Sequence, residues 1–158
     1  MSKKQYEEIE EDMDEVEGIP EPIANTPEEI KITFEKMLEI SNEFRKFLVS
    51  DKETKFTYGI NKFYNLNMKK VFDEYNEELA EIRINKALID ETTKAIIYDE
   101  TNPRGFSYDK VGLLAVIKEE KALVNKWNIK EFTVTPYICS DVPKLTQLQE
   151  ELFKGLVA

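Results

Sequence analysis

The stretch DKETKFTYGINKFYNLNMKKVFDEYNEELAEIRINKALID, residues 51–90, decides the architecture. Phe56, Ile60, Phe63, Tyr64, Met68, Val71, Phe72, Tyr75, Leu79 and Ile82 recur in steps of threes and fours, which lays one broad apolar stripe along a helix. Charged residues gather on the other side, with Lys70 and Glu74 one turn apart. Gly59 weakens the first turns. Roughly thirty residues of helix would run about 45 Å, more than a small globule needs. An aromatic stripe at this spacing reads as core or subunit interface rather than as a cofactor box.

Working outward, NTPEEIKITFEKMLEISNEFRKFLVSD, residues 25–51, predicts a first helix over about 27–49. Asn25 or Thr26 suits the cap, Pro27 the first helical position, and Glu28 and Glu29 the positive helix end. Ile30, Phe34, Met37, Leu38, Ser41, Phe44 and Leu48 keep the helical spacing. The two helices then form a long antiparallel hairpin joined near Asp51–Thr54.

Downstream, IIYDETNPRGFSYD, residues 96–109, is the polar segment on which an enzymatic reading would rest. Lys94–Tyr98 and Gly105–Tyr108 read as a β-hairpin around the turn DETNPRG. Asp99 and Glu100 are neighbours on a strand end and point to opposite sides, so one turn cannot converge both on an ion. Arg104 is expected to pair with one of these acids across the turn. A helix follows, capped by Ser107 or Asp109, with Val111, Leu114, Ile117 and Leu123 inward and Gly112 a weak point. KEFTVTPYI supplies a third strand, with Phe132 and Val134 on one face and Thr133 and Thr135 on the other. The last helix starts at Thr146, or at Asp141 and Pro143, and aligns Leu145, Leu148, Leu152 and Leu156. The fold class expected is α+β: a long helical hairpin, a small sheet of about three strands and two further helices.

At 158 residues the chain suits one domain with a core of its own. That domain is expected to span residues 26–158. The net charge of −10 is concentrated: residues 1–25 hold nine acidic groups against Lys3 and Lys4, or −7 of the total. This acidic N-terminal tail reads as disordered in isolation. Tyr6, Ile9, Met13 and Val16 are spaced 3, 4 and 3, so a short amphipathic helix can form on a partner, with Gly18, Pro20 and Pro22 behind it. A solubilising tail and a partner-binding tail both remain open. The acidity opposes direct nucleic-acid contact, and the aromatics of TYGINKFYNLNMKK fall on the apolar stripe rather than beside its lysines. No apolar run reaches membrane-spanning length, and the polar start predicts no secretory signal.

The chain has no histidine, which removes the commonest general base and metal ligand. With the single Cys139, zinc has no tetrahedral ligand set. Cys139 follows an apolar strand and reads as a buried structural thiol in a reducing compartment. No glycine arrangement forms a phosphate loop. No cofactor is expected.

The order of elements, with INKALIDETTKAIIYDETNPRGFSYDK, then EFTVTPYICSDVP, then LTQLQEELFKGLVA, resembles a group of small tailed-phage proteins encoded among structural and assembly genes. Residues 30–158 share that layout, ending in an L-T-x-x-Q-x-x-x-L helix. Here Leu145, Thr146 and Gln149 match it, and Phe153 stands where Leu is expected. The acidic tail lies outside the likeness. The resemblance implies a phage setting and a non-catalytic role, in host cytoplasm or virion, and carries no catalytic residues over.

The leading expectation is therefore a non-catalytic assembly or adaptor protein acting on phage structural or assembly proteins, with self-association as a consequence. Its contact residues would be Leu148, Leu152, Phe153, Leu156 and Val157 of the last helix, with Tyr6, Ile9 and Met13 of the tail and the projecting hairpin. The alternatives are an acidic-tail inhibitor or decoy of a host nucleic-acid-binding protein, and a Mg²⁺-dependent enzyme using Asp99, Glu100 and Asp109.

Overall fold

The computed structural model describes residues 29–158. Within them the chain is α+β, with five helices and a two-stranded antiparallel sheet. The first element departs from the helix expected over 27–49. Ile30–Thr33 (IKIT) is a strand, β1, because its β-branched residues suit extended backbone. The Thr33 hydroxyl then accepts from Lys36 N–H at 3.2 Å and starts helix α1, Phe34–Phe47. Pro27, with the caps proposed at residues 25 and 26, lies outside the described residues.

Thr54 and Thr57 form a reciprocal capping box (3.1 and 2.8 Å) that opens α2, Lys55–Asn67. The single long helix expected here is in fact two. After Met68 the chain continues as α3, Lys69–Asn85. The side chain of Asn67 is tied up at the break. It donates to the carbonyls of Phe63 (3.1 Å) and Thr135 (2.8 Å), and it accepts from Thr135 N–H (2.7 Å). It thus imitates a peptide group and grips the chain just after the second strand.

Asp109 caps α4, Lys110–Asn128, which runs back antiparallel along α3. Tyr75 and Glu78 of α3 meet Trp127, Arg83 meets Glu120, and the Lys86 carbonyl approaches Gly112. α1 and α2 do meet in antiparallel order, Phe47 with Phe56 and Phe44 with Phe63, but the paired helices that run on beyond the main core are α3 and α4. The phase of that pair also corrects the inward positions expected on α4. Val116, Leu123 and Trp127 are buried, whereas Val111 and Leu114 are exposed. At the start of the helix the Gly112 N–H is held by the Asp109 carboxylate at 2.6 Å, and the absence of a Cβ leaves room for the Lys86 carbonyl.

Strand β2, Glu131–Val134, pairs with β1 in the register Ile30↔Val134 to Thr33↔Glu131. The sheet thus has two strands rather than three. The expected hairpin at Lys94–Tyr98 and Gly105–Tyr108 survives only as the single bridge Tyr98↔Phe106, beside Ile89↔Ile96. Helix α5, Gln147–Phe153, opens on a second capping box between Thr146 and Gln149.

The core contains two aromatic groups. Phe34, Phe72, Tyr75 and Trp127 meet where β1 enters α1, with centroids 4.9–5.6 Å apart around Phe34. Phe44, Phe47, Phe56 and Phe63 surround Phe153 or one another at the other end. Cys139 is buried as expected, and burial pushes its thiol pKa up. It explains Gly59, since a Cβ on that residue would sit 2.3 Å from the Cys139 sulfur. Replacing Gly59 by Ala is expected to cost about 1–3 kcal/mol in urea unfolding, through overpacking. Combining Gly59→Ala with Cys139→Ala should recover most of that loss. Strictly additive penalties would show that the sulfur is not what excludes a side chain there.

Candidate functional site

The far end of the α3–α4 arm carries residues 86–109, none of which belongs to the main apolar core. Three extended runs meet there in a closed ring of backbone hydrogen bonds. Leu88 N–H donates to Ser107 O (2.9 Å), Ser107 N–H to Ile97 O (3.0 Å), and Ile97 N–H to Leu88 O (2.9 Å). The links between the runs are side-chain-locked turns. Asp90 accepts from the N–H groups of Thr92 and Thr93, and Lys94 takes φ 62°. Asp99 accepts from Thr101, and Asn102 accepts from Arg104 N–H. Gly105 supplies φ 85°. These bonds hold both Asp carboxyls below the ordinary range: Thr93 and then Thr92 act on Asp90, and Thr101 acts on Asp99.

The segment IIYDETNPRGFSYD therefore forms a turn in which two of its three acids serve the backbone. Asp99 folds the loop, Asp109 caps α4, and Glu100 points to solvent. Among the described residues, no group of three carboxylate or thiol side chains is placed to hold a metal ion. No helix among them is long and apolar enough to cross a membrane.

A cluster of charges fastens this tip to the arm beside the fully buried Val116. Arg104 does not pair with Asp99 or Glu100, as expected across the turn, but reaches Glu120 on α4 at 2.8 Å. Arg83 on α3 bonds the other oxygen of the same carboxylate at 2.9 Å. The Tyr108 hydroxyl closes the group by donating to the Arg83 carbonyl at 2.7 Å. Burial raises the Tyr108 pKa. Burial is also the largest single influence on Glu120 and acts upward, but the bonds and charges of Arg104 and Arg83 together outweigh it and lower its pKa.

Among exposed charged and polar residues such as Asp90, Lys94 and Glu100, the tip also shows large apolar side chains to solvent. Tyr98 is 69% exposed, Val111 79% and Leu114 60%, and Leu88, Ile89 and Ile97 are also exposed. Most of the contact residues expected from sequence lie elsewhere and are not surface. Leu152, Phe153, Leu156 and Val157 are buried, because α5 presses Phe153 against Phe44, Phe47 and Phe56. Gly155 (φ 76°) then turns the chain so that the Leu156 and Val157 carbonyls accept from Tyr137 and Cys139 N–H. Only Leu148 of that set faces solvent, at 51%. Tyr6, Ile9 and Met13 lie outside the described residues.

Sequence reasoning missed the Glu120 hub, though two signals mark it. The buried line Val116, Leu123, Trp127 passes through position 120, so a carboxylate there must find partners. The chain also has only three arginines, and two of them, with forked geometry suited to sharing one carboxylate, flank this region. Comparison with protein-family models, curated proteins and solved structures finds no match.

Glu120→Gln should cost about 2 kcal/mol at neutral pH, short of a fully buried pair because both arginines are nearly a third exposed. Glu43 offers a parallel case. Hydrogen bonds from Lys46 and then Gln149 lower its pKa. A carboxyl with a lowered folded pKa contributes stability that is full above its unfolded value and disappears as pH falls through the folded one. Urea midpoints should therefore drop as pH descends through and below the ordinary glutamate range, less steeply in Glu120→Gln and Glu43→Gln than in the parent. Parallel slopes would contradict both assignments.

Proposed function

We propose that this protein is a non-catalytic adaptor that works by protein–protein contact, of the kind found among phage structural and assembly proteins. The observation that supports this most is the apolar tip. Soluble monomers seldom leave several large apolar side chains uncovered in one region unless something covers them in use. Here Leu88, Ile97, Tyr98, Val111 and Leu114 stand on turns locked by hydrogen bonds and on a helix end anchored through Glu120. A preorganised tip loses little conformational freedom on docking, which favours binding. The phage setting rests on the likeness of layout and of the L-T-x-x-Q helix, and the partner class follows from it.

The test compares the parent with Ile97→Ser combined with Leu114→Lys, both at exposed positions and so expected to leave thermal unfolding nearly unchanged. Affinity capture from the native source should recover a defined partner with the parent and lose it with the variant. An identical partner set from both would refute the tip as the contact surface.

A further inference from the structure

The two helices of the arm carry opposite charge on their outer edges. On α3, Tyr75, Glu78 and Arg83 meet α4, and the stripe on the opposite side, Asp73, Glu77, Ala80, Glu81 and Ile84, is exposed. On α4, Glu120 and Trp127 meet α3, and the opposite stripe, Val111, Leu114, Lys118, Lys121 and Asn125, is exposed. The two stripes therefore lie on opposite edges of the arm, about 20 Å apart across two helix diameters. One is acidic and the other basic. Glu77 and Glu81 stand one turn apart, as do Lys118 and Lys121, and none of the four forms an ion pair among the described residues. Like charges at this spacing oppose a helix rather than support it. The other charges nearby sit off these stripes or at their ends: Glu119 is on the flank of α4, Lys126 shares Glu78 at 3.9 Å, and Lys70 marks the core end of α3.

We propose that the basic edge of α4 docks on the acidic edge of α3 in a second copy of this chain, so that copies join head to tail. This deepens the reading of the tip as a contact surface and rests on it in part, because Val111 and Leu114 belong to both; Ile97 and Tyr98 remain uncovered for another partner. The first support is register. Within the arm, Gly112 lies at the Lys86 carbonyl, Glu120 at Arg83 and Trp127 at Tyr75, which fixes the positions of α3 and α4 that share a level. Copies related by a cyclic axis stand at one level. At that level Lys118 and Lys121 come opposite Glu81 and Glu77 of the next copy, and Asn125 comes opposite Asp73. Toward the tip, Val111 and Leu114 come opposite Ile84 and Leu88, and all four are exposed. One register thus sets charge against charge and apolar against apolar. The second support is that like edges repel. Pairing α4 with α4 about a two-fold axis at its midpoint would set Lys118 and Lys121 against themselves, and α3 on α3 would do the same with Glu77 and Glu81. The third is that one chain cannot satisfy its own stripes, since they point away from each other. A contact between unlike edges leaves each added copy with an edge to offer, so the assembly closes as a ring or grows as a chain.

The test measures mass by sedimentation and light scattering on the full-length protein, over a range of concentrations in low and high salt. The parent should pass beyond dimer mass as concentration rises, and less so in high salt, which screens the exposed charges. Lys118→Glu with Lys121→Glu should be monomeric, and so should Glu77→Lys with Glu81→Lys, each keeping the parent's circular dichroism because all four positions are exposed. Mixed in equal amounts, the two variants should assemble again, since each then meets the opposite charge on both edges. Should a double variant lose the parent's circular dichroism, the single changes Lys121→Glu and Glu77→Lys, alone and mixed, take its place. A parent that stays monomeric or stops at a dimer overturns the proposal. So do variants that assemble like the parent, and a mixture that stays monomeric. A monomeric parent that still captures a partner through Ile97 and Leu114 overturns this proposal alone and leaves the reading of the tip standing.

Discussion

Trp127 is the point on which the assembly turns. It is almost fully buried at the end of α4, and its ring meets Phe34 at 5.2 Å, Tyr75 at 5.6 Å and Phe132 at 6.1 Å. One side chain thus joins the start of α1, the middle of α3 and strand β2. Its indole N–H donates to Glu78 at 2.7 Å, and Lys130 stands 3.8 Å over the ring face. An indole buried this deeply must satisfy its donor, and doing so sets the register of α4 on α3. That register brings Glu120 opposite Arg83 and Gly112 opposite the Lys86 carbonyl, and so determines how the tip is presented.

From the core outward, the character of the cohesion changes. Around Phe34 and Phe153 it is aromatic packing; at Glu43 and Gln149 it is a buried polar contact; at the tip it is one carboxylate shared by two arginines and a ring of backbone hydrogen bonds. With its turns satisfied locally, the tip holds its shape outside the main apolar core and leaves Tyr98, Ile97 and Leu88 exposed. Elsewhere, glycine at 59 leaves room for the Cys139 side chain and the Tyr137 ring against α2.

Much of this could be read from the residue order, because it depends on local rules. The α+β class, the helix-forming stripe from Phe56 to Ile82, the cap at Thr146, the inward faces of Phe132 and Val134, the turn at DETNPRG and the buried Cys139 all follow from spacing, capping and turn chemistry. Other features depended on partners distant in sequence. Whether IKIT continues a helix or becomes a strand depends on EFTV, a hundred residues away, being free to pair with it. Whether the long stripe runs unbroken depends on Asn67 finding Thr135. Whether Leu152 and Phe153 are surface or core depends on a space between α1 and α2 that exists only after folding.

The sequence by itself settled the helical segments apart from IKIT and the break at Met68, the sharp turns, and the gathering of charge in the first residues, since each of these is decided by neighbours within a few positions. The tertiary structure alone decided which apolar faces remain outside. A helix with apolar groups on more than one side, as in α4, has no local reason to bury Val116 rather than Leu114. That choice was made by Trp127 against Phe34 and by Glu120 between two arginines.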